Sequence, residues 1–160
     1  MTAVEKFMPF ENRLDLTAMQ SKVQAVKQEI KKVVVGQDKM IDLLVVSLLT
    51  GGHSLIEGVP GIAKTITAKL LARTLDAVCS RIPFTRDVMP SDVTVTSIRN
   101  LKTNEFEFKK GPVFANIVLI DEINRAPAKT QAALFECMSE QQLTIDGINY
   151  KLPPPFFVLA

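Results

Sequence analysis

Little in this chain points to chemistry residue by residue. There is one histidine, His53, and there are two cysteines, Cys79 and Cys137, far apart in sequence. Two such thiols make neither a disulfide framework nor a metal-ligand spacing. They read as small core residues, and a reducing, cytoplasmic setting is the simplest fit. A lone histidine at the start of a strand, with no serine or carboxylate beside it, reads as structural. Net charge is only +2, so bulk electrostatics favour neither nucleic acid nor an acidic partner. The longest apolar stretch, 41–49, is interrupted by Asp42 and Ser47 and is too short to span a bilayer. Residues 1–13 mix Glu5, Lys6, Glu11 and Asn12 with apolar residues. They hold no apolar h-region, so no signal peptide is expected. What remains, 160 residues with 47% hydrophobic and 22% charged, suits one soluble domain with its own core.

The first chemical feature is Gly58-Val59-Pro60-Gly61-Ile62-Ala63-Lys64-Thr65. An apolar run, 53–56, precedes it and a helical pattern, 66–75, follows. Strand, glycine-rich turn and helix are the order of a phosphate-binding loop. Small residues let backbone N–H groups wrap a phosphate chain, and the next helix adds the positive end of its dipole. Lys64 can reach the outer phosphates and the Thr65 hydroxyl can ligate Mg²⁺. Ala63 stands where the pattern G-x-x-x-x-G-K-[ST] has glycine, and so loses easy access to φ > 0. Alone, the stretch also reads as a plain turn between a strand and a helix.

Along the chain, residues 1–16 read as an N-terminal arm and 17–160 as one α/β nucleotide-binding unit. Thr17 and Gln20 match a capping box, and Val23, Val26, Ile30 and Val33 follow at helical spacing. Lys22, Lys27, Lys31 and Lys32 on the other faces read as a solvated surface ahead of a nucleic-acid surface. Val34-Val35-Gly36-Gln37 breaks this helix, and a second, about 38–49, is apolar on most sides and expected to be buried. The P-loop helix is expected to turn Ile66, Leu70, Leu71 and Leu75 inward. Residues 81–84 read as a second strand, and Ser91-Asp92 as the cap of a helical turn. Residues 98–102 and 105–109 read as an inserted hairpin around Thr103-Asn104. Ile117-Val118-Leu119-Ile120 reads as a strand, and Pro127 opens a helix to about Glu140. A hairpin turning at Asp146-Gly147 and a final strand, 156–160, close the chain. Continuous apolar strands alternating with helices predict a parallel sheet covered on both faces.

The second chemical feature is Asp121-Glu122, ending the strand 117–120. Ligands bind at the carboxyl ends of the strands in an open parallel sheet, which puts these acids on the edge that carries the P-loop. Asp121 can serve the metal and Glu122 can deprotonate a water for in-line attack. Alternation along a strand would point the two acids to opposite sides. Alone, the pair also reads as helix-start carboxylates; with a P-loop upstream, the Mg²⁺·nucleotide reading prevails.

GVPGIAKT (58–65), RDVMPSD (86–92), GPVFANIVLIDEINRAPAKTQAALFECMSE (111–140) and LTIDGINYKLPPPFFVLA (143–160) strongly resemble the MoxR family of AAA+ ATPases. The resemblance runs from about Val34 onward, and the family commonly carries alanine at the Ala63 position. It implies a P-loop NTPase core with an inserted hairpin, Walker A at 58–65 and Walker B at 119–122. It also implies ATP with Mg²⁺ held by Thr65 and Asp121, catalysis by Glu122 and Lys64, and Gly36 and Gln37 near the adenine. Residues 35–37 read equally as a simple interhelical break. Arg125 reaches either a neighbouring subunit or phosphate, or is a surface helix-start residue; the residues leave both open. By the same resemblance the protein is a ring-forming homo-oligomer, a hexamer, remodelling or maturing a protein client. The family's sensor residues, fifth strand and helical lid are not in these 160 residues, so weak nucleotide binding and poor hydrolysis are expected. Two other readings stand beside it: a nucleotide-binding interaction module without turnover, and a DNA-directed AAA+ motor.

Overall fold

The run 117–120 becomes a fully enclosed strand because every one of its side chains is apolar and each face of the sheet has its own helical layer. The computed structural model describes residues 16–58, 63–99, 106–145 and 147–160. In it, β1 (Cys79–Pro83), β4 (Ile117–Asp121) and β7 (Phe157–Leu159) form a parallel sheet in the order β1-β4-β7. Residues 54–56 add the next place along the sheet, beside β7. Ser54 bridges Leu159 in parallel, the Ser54 N–H donates to the Val158 carbonyl at 2.9 Å and the Ile56 N–H to the Ala160 carbonyl at 2.8 Å. The expected first strand is thus short, paired on one side only, with Leu55 exposed.

Pleating divides the core in two. Ile117, Leu119, Phe157 and Leu159 pack with Ile30, Ile41, Leu44, Ala68 and Leu71, which belong to α1 (Thr17–Lys31), α2 (Asp38–Leu49) and α3 (Lys64–Thr74). Val118, Ile120, Val158 and Ile82 pack on the opposite face with Val93, Leu134 and Cys137 of α4 (Pro90–Thr94) and α5 (Ala128–Glu140). The expected sheet with helices on both faces is present, and continuous apolar strands are what two covered faces require.

Several local expectations shift. The N-cap of α1 is Leu16 rather than Thr17, with no side-chain cap bond, and Val34 rather than Val33 is buried. α2 is half-buried: Ile41, Leu44 and Val45 face inward, while Leu43, Val46 and Leu49 are exposed. The inner face of α3 is Thr67, Ala68, Leu71 and Ala72; Leu70 and Leu75 sit at its margin, and Ile66 is exposed. Small side chains and one large one, Leu71, line this face. The lysine face of α1 is largely neutralised: Lys27 pairs with Asp42, Lys31 with Asp38 and Lys32 with Glu29. The inserted hairpin pairs β2 (Val95–Arg99) with β3 (Phe106–Lys110). Its first arm starts earlier than expected because α4 runs straight into it; Thr103 and Asn104 lie outside the described residues. Likewise the arm 1–16 is described only at Leu16. β5 (Gln142–Ile145) and β6 (Ile148–Lys151) make the last hairpin, with Gly147 at φ 79° as a tight hairpin turn demands.

Two polar residues fasten the sheet at its lower end. The Asn116 side chain accepts from the Val78 N–H at 3.0 Å and donates to the Pro154 carbonyl at 3.1 Å, joining the lead-ins of β1, β4 and β7. His53 accepts from the Val158 N–H through Nδ1 at 3.0 Å, and its Nε2 lies 3.3 Å from the Met138 carbonyl of α5. The expected structural role of His53 is therefore met by one neutral tautomer that uses both ring nitrogens. Both thiols are free, and burial raises them, Cys137 to about 11, so neither is activated.

Two outcomes test this packing. A Cβ on Gly111 would lie 2.6 Å from the Thr94 backbone carbonyl, so Gly111→Ala should cost about 1–3 kcal/mol, read as a fall in thermal midpoint; an unchanged midpoint contradicts the close approach. Burial lowers the His53 pKa below the ordinary 6.5. The unfolded chain then binds the extra proton first, so this contribution is full above pH 6.5 and lost as pH falls through the folded value. Urea midpoints at pH 7.5 and 5.5 should show that loss, and His53→Gln should lessen it.

Candidate active site

The site grows from one end of the sheet. Residues 54–56 run into Glu57 and Gly58, and the chain re-enters the described residues at Ala63, the N-cap of α3. Val59, Pro60, Gly61 and Ile62 lie outside the described residues. Ala63 has φ 44° and ψ 20°, the left-handed conformation that explains why this loop position favours glycine. The cost for alanine is about 1–2 kcal/mol, offset in part because the Ala63 methyl packs against the core of the α1–α3 face. Helical bonding starts with the Thr67 N–H donating to the Ala63 carbonyl at 2.9 Å. The N–H groups of the first turn, around Lys64 and Thr65, therefore stand outside the helical ladder, where they can receive an anion. The Lys64 ammonium donates to the Ile56 carbonyl at 3.1 Å, so the lysine is held at the end of the strand that leads into the loop.

Asp121 ends β4. Its pleat places it with Ile117 and Leu119, on the face covered by α3, and it is 23% exposed. Its Oδ2 accepts from Arg81 Nε at 2.6 Å. Register explains the pair: Arg81 sits opposite Leu119 and Pro83 opposite Asp121, so Arg81 and Asp121 are diagonal neighbours on one face. Glu122 departs from expectation. Strand alternation does not set its direction, because it has φ 58° and ψ 48° and leaves the sheet in a left-handed turn. Its Oε2 accepts from Arg125 Nε at 3.2 Å. Arg125 ends a 3-10 turn, Ile123–Arg125, ahead of Pro127 and α5. It starts no α-helix, and its partner within this chain is Glu122.

Gly36 has φ 76°, and Gln37 is the N-cap of α2. Gln37, Lys39 and Met40 line a cleft of about 570 Å³ whose other wall is Ser54, Leu55, Ile56 and Glu57. The break between α1 and α2 therefore opens beside the strand that leads into the phosphate loop. Described residues thus bring Lys64 and Asp121 to one face and one end of the sheet, with Gln37 beside the loop's lead-in and Glu122 at the rim. Arg81 joins the site through the sheet register alone; the residues place it only at the start of the expected strand 81–84, with nothing to mark that role.

Comparison with known proteins identifies the family. The profile of the ATPase family associated with various cellular activities (AAA) matches residues 53–160. The chain is 47% identical over 132 residues to Chaperone MoxR1 of Mycobacterium tuberculosis, covering 82% of this chain and 35% of that protein. It is 30% identical over 143 residues to Protein MoxR of Methylorubrum extorquens, covering 86% of this chain and 41% of that protein. A crystal structure of a candidate ATPase from Cytophaga hutchinsonii superimposes with a TM-score of 0.75 at 48% identity, over 92% of this chain and 47% of that one. The chain spans about a third to two fifths of the length of these curated relatives.

The strained alanine gives a direct test. Ala63→Gly should stabilise the chain by up to ~1 kcal/mol, a rise of ~1–4 °C in thermal midpoint, whereas Ala63→Val should lower it; the reverse order would contradict the left-handed assignment.

Proposed function

The chain belongs to the MoxR family of AAA+ ATPases and has the α/β fold of P-loop NTPases, and on that premise we propose that it binds ATP with Mg²⁺. In this reading, hydrolysis is coupled to the chaperone-like remodelling or maturation of a protein client. The observation that carries it is a shared placement: the α3 N-terminus, with Lys64 held at the end of residues 54–56, and Asp121 at the end of β4 lie at one end of the sheet, on the face that α3 covers. A cationic side chain, helix-start N–H groups and a carboxylate at one sheet end are the donor set that a metal-bound triphosphate needs. The residues present therefore fit the group. Bound Mg²⁺ would neutralise charge on the β- and γ-phosphates.

Within that reading each residue has one task. The loop 58–65 wraps the phosphates, and Lys64 moves its ammonium from the Ile56 carbonyl to their outer oxygens. Thr65 and Asp121 offer oxygen ligands to the metal. Glu122 accepts a proton from the attacking water once it leaves Arg125. Gln37 and the backbone at Gly36 meet the base in the cleft beside residues 54–57. The same reading includes a ring homo-oligomer, a hexamer, on the strength of the family resemblance, and a cytoplasmic setting, with which two free thiols are compatible. No helix among the described residues is long and apolar enough to cross a membrane.

One observation favours a second reading, a nucleotide-binding module without turnover: Glu122 is turned out in a left-handed conformation and bonded to Arg125. A DNA-directed motor gains nothing from the α1 lysines, three of which are ion-paired. Titration of the chain with a fluorescent ATP analogue tests the binding half of the proposal. Lys64→Ala should weaken binding by ~10–100-fold, the worth of a charged hydrogen bond or two; unchanged binding refutes the phosphate role. Glu122→Gln should keep binding and lower phosphate release by ~10²–10⁴-fold. Turnover at background before that substitution supports the module instead.

A further inference from the structure

The tightest charged contact at the site is one that nucleotide binding does not explain. Asp121, the carboxylate assigned to the metal, already accepts from Arg81 Nε at 2.6 Å. The pair is built into the sheet: Arg81 lies on β1, the neighbour of β4, and the parallel register sets it diagonally from Asp121 on the α3 face. Asp121 is largely enclosed, whereas Arg81 is 57% exposed and keeps a route to water. A carboxylate accepting from a guanidinium has part of its charge neutralised. A divalent ion drawing on the same oxygen must compete with that bond.

We propose that Arg81 is a resident counter-ion of Asp121 that sets how much Mg²⁺ the site requires, holding the carboxylate in position until the metal takes it over. The inference rests on the nucleotide reading above. Arg81 is a positioning residue here: it touches Asp121, and its exposed guanidinium moves aside into solvent when the metal arrives. Because the bond to Arg81 is made only while the metal is absent, removing it favours the metal-bound state. The effect is confined to Mg²⁺-dependent binding, since Lys64 and the loop can hold phosphate without Asp121. An arginine at this strand position therefore tunes the site toward loading at higher Mg²⁺ rather than adding to catalysis.

The test is a Mg²⁺ titration of fluorescent ATP-analogue binding to the 160-residue chain, with a parallel series in EDTA. Arg81→Met should lower the half-saturating Mg²⁺ by ~2–5-fold, the worth of one partly exposed ion pair, and leave binding in EDTA unchanged. Arg81→Lys, which keeps the charge and loses the planar fork, should fall between. An unchanged or raised Mg²⁺ requirement in Arg81→Met, with nucleotide still bound, overturns the counter-ion role and leaves the nucleotide reading standing. No nucleotide binding by the unsubstituted chain at any Mg²⁺ concentration sinks both. Should Arg81→Met not fold, the unsubstituted chain decides: the Arg81 Nε–H resonance should shift when Mg²⁺ joins bound nucleotide, and not with nucleotide in EDTA. A resonance indifferent to Mg²⁺ refutes the takeover.

Discussion

Everything in this structure is referred to β4. Its first four residues are fully enclosed and alternate between two helical layers. Burying side chains of this size contributes roughly 1.5–3 kcal/mol each, so together they rival the net stability of a whole domain. A one-residue slip would exchange the two layers, pushing Asp121 off the α3 face and breaking its bond to Arg81. The register that builds the core is the register that aims the acid. Core and site here are one constraint seen from its two ends.

The opposite end of the sheet keeps that register from drifting. Asn116 gathers the entries to β1, β4 and β7, and His53 ties the short edge at residues 54–56 to β7 and α5. Polar side chains serve well here because partly buried backbone groups at strand entries need partners. The single histidine is spent on architecture. The charged residues at the upper end, Lys64, Arg81, Asp121, Glu122 and Arg125, are left to the site. Three of the contacts there, Lys64 with Ile56, Arg81 with Asp121 and Arg125 with Glu122, join assigned functional groups to other groups of the chain. In the proposed reading, ligands would compete with these bonds.

Much of this was legible in the residues. The apolar run 117–120 announced a strand covered on both faces, and its terminal acids marked the ligand edge. Gly111-Pro112, Pro127 and Asp146-Gly147 punctuated the elements near where they end. Ala63 stood out as a glycine position, and its positive φ bears that out. The errors share a cause. Hydrophobicity alone turns Ile66 inward, includes Val33 in an apolar stripe and buries the whole of the second helix, whereas Ile66, Val33 and Leu43 are exposed. The structure instead buries Thr67, Ala68, Leu71 and Ala72 on the inner face of α3, a face mostly of small side chains that hydrophobicity does not mark. Glu122 was judged by strand alternation, which ceases where the chain turns left-handed.

What the sequence determined alone is the inventory and its order: a glycine-rich strand-to-helix loop, two acids at the end of an apolar strand and the strands that carry them, because local spacing and hydrophobic period encode each of these within a few residues. What only the tertiary structure decided is which groups meet. Arg81 and Asp121 are joined by a sheet register, and Lys64 and Ile56 by the turn of the chain into α3. Gln37 faces residues 54–57 across a cleft only because α2 packs beside that edge. Such meetings are set by packing between distant segments, and no local pattern of residues records them.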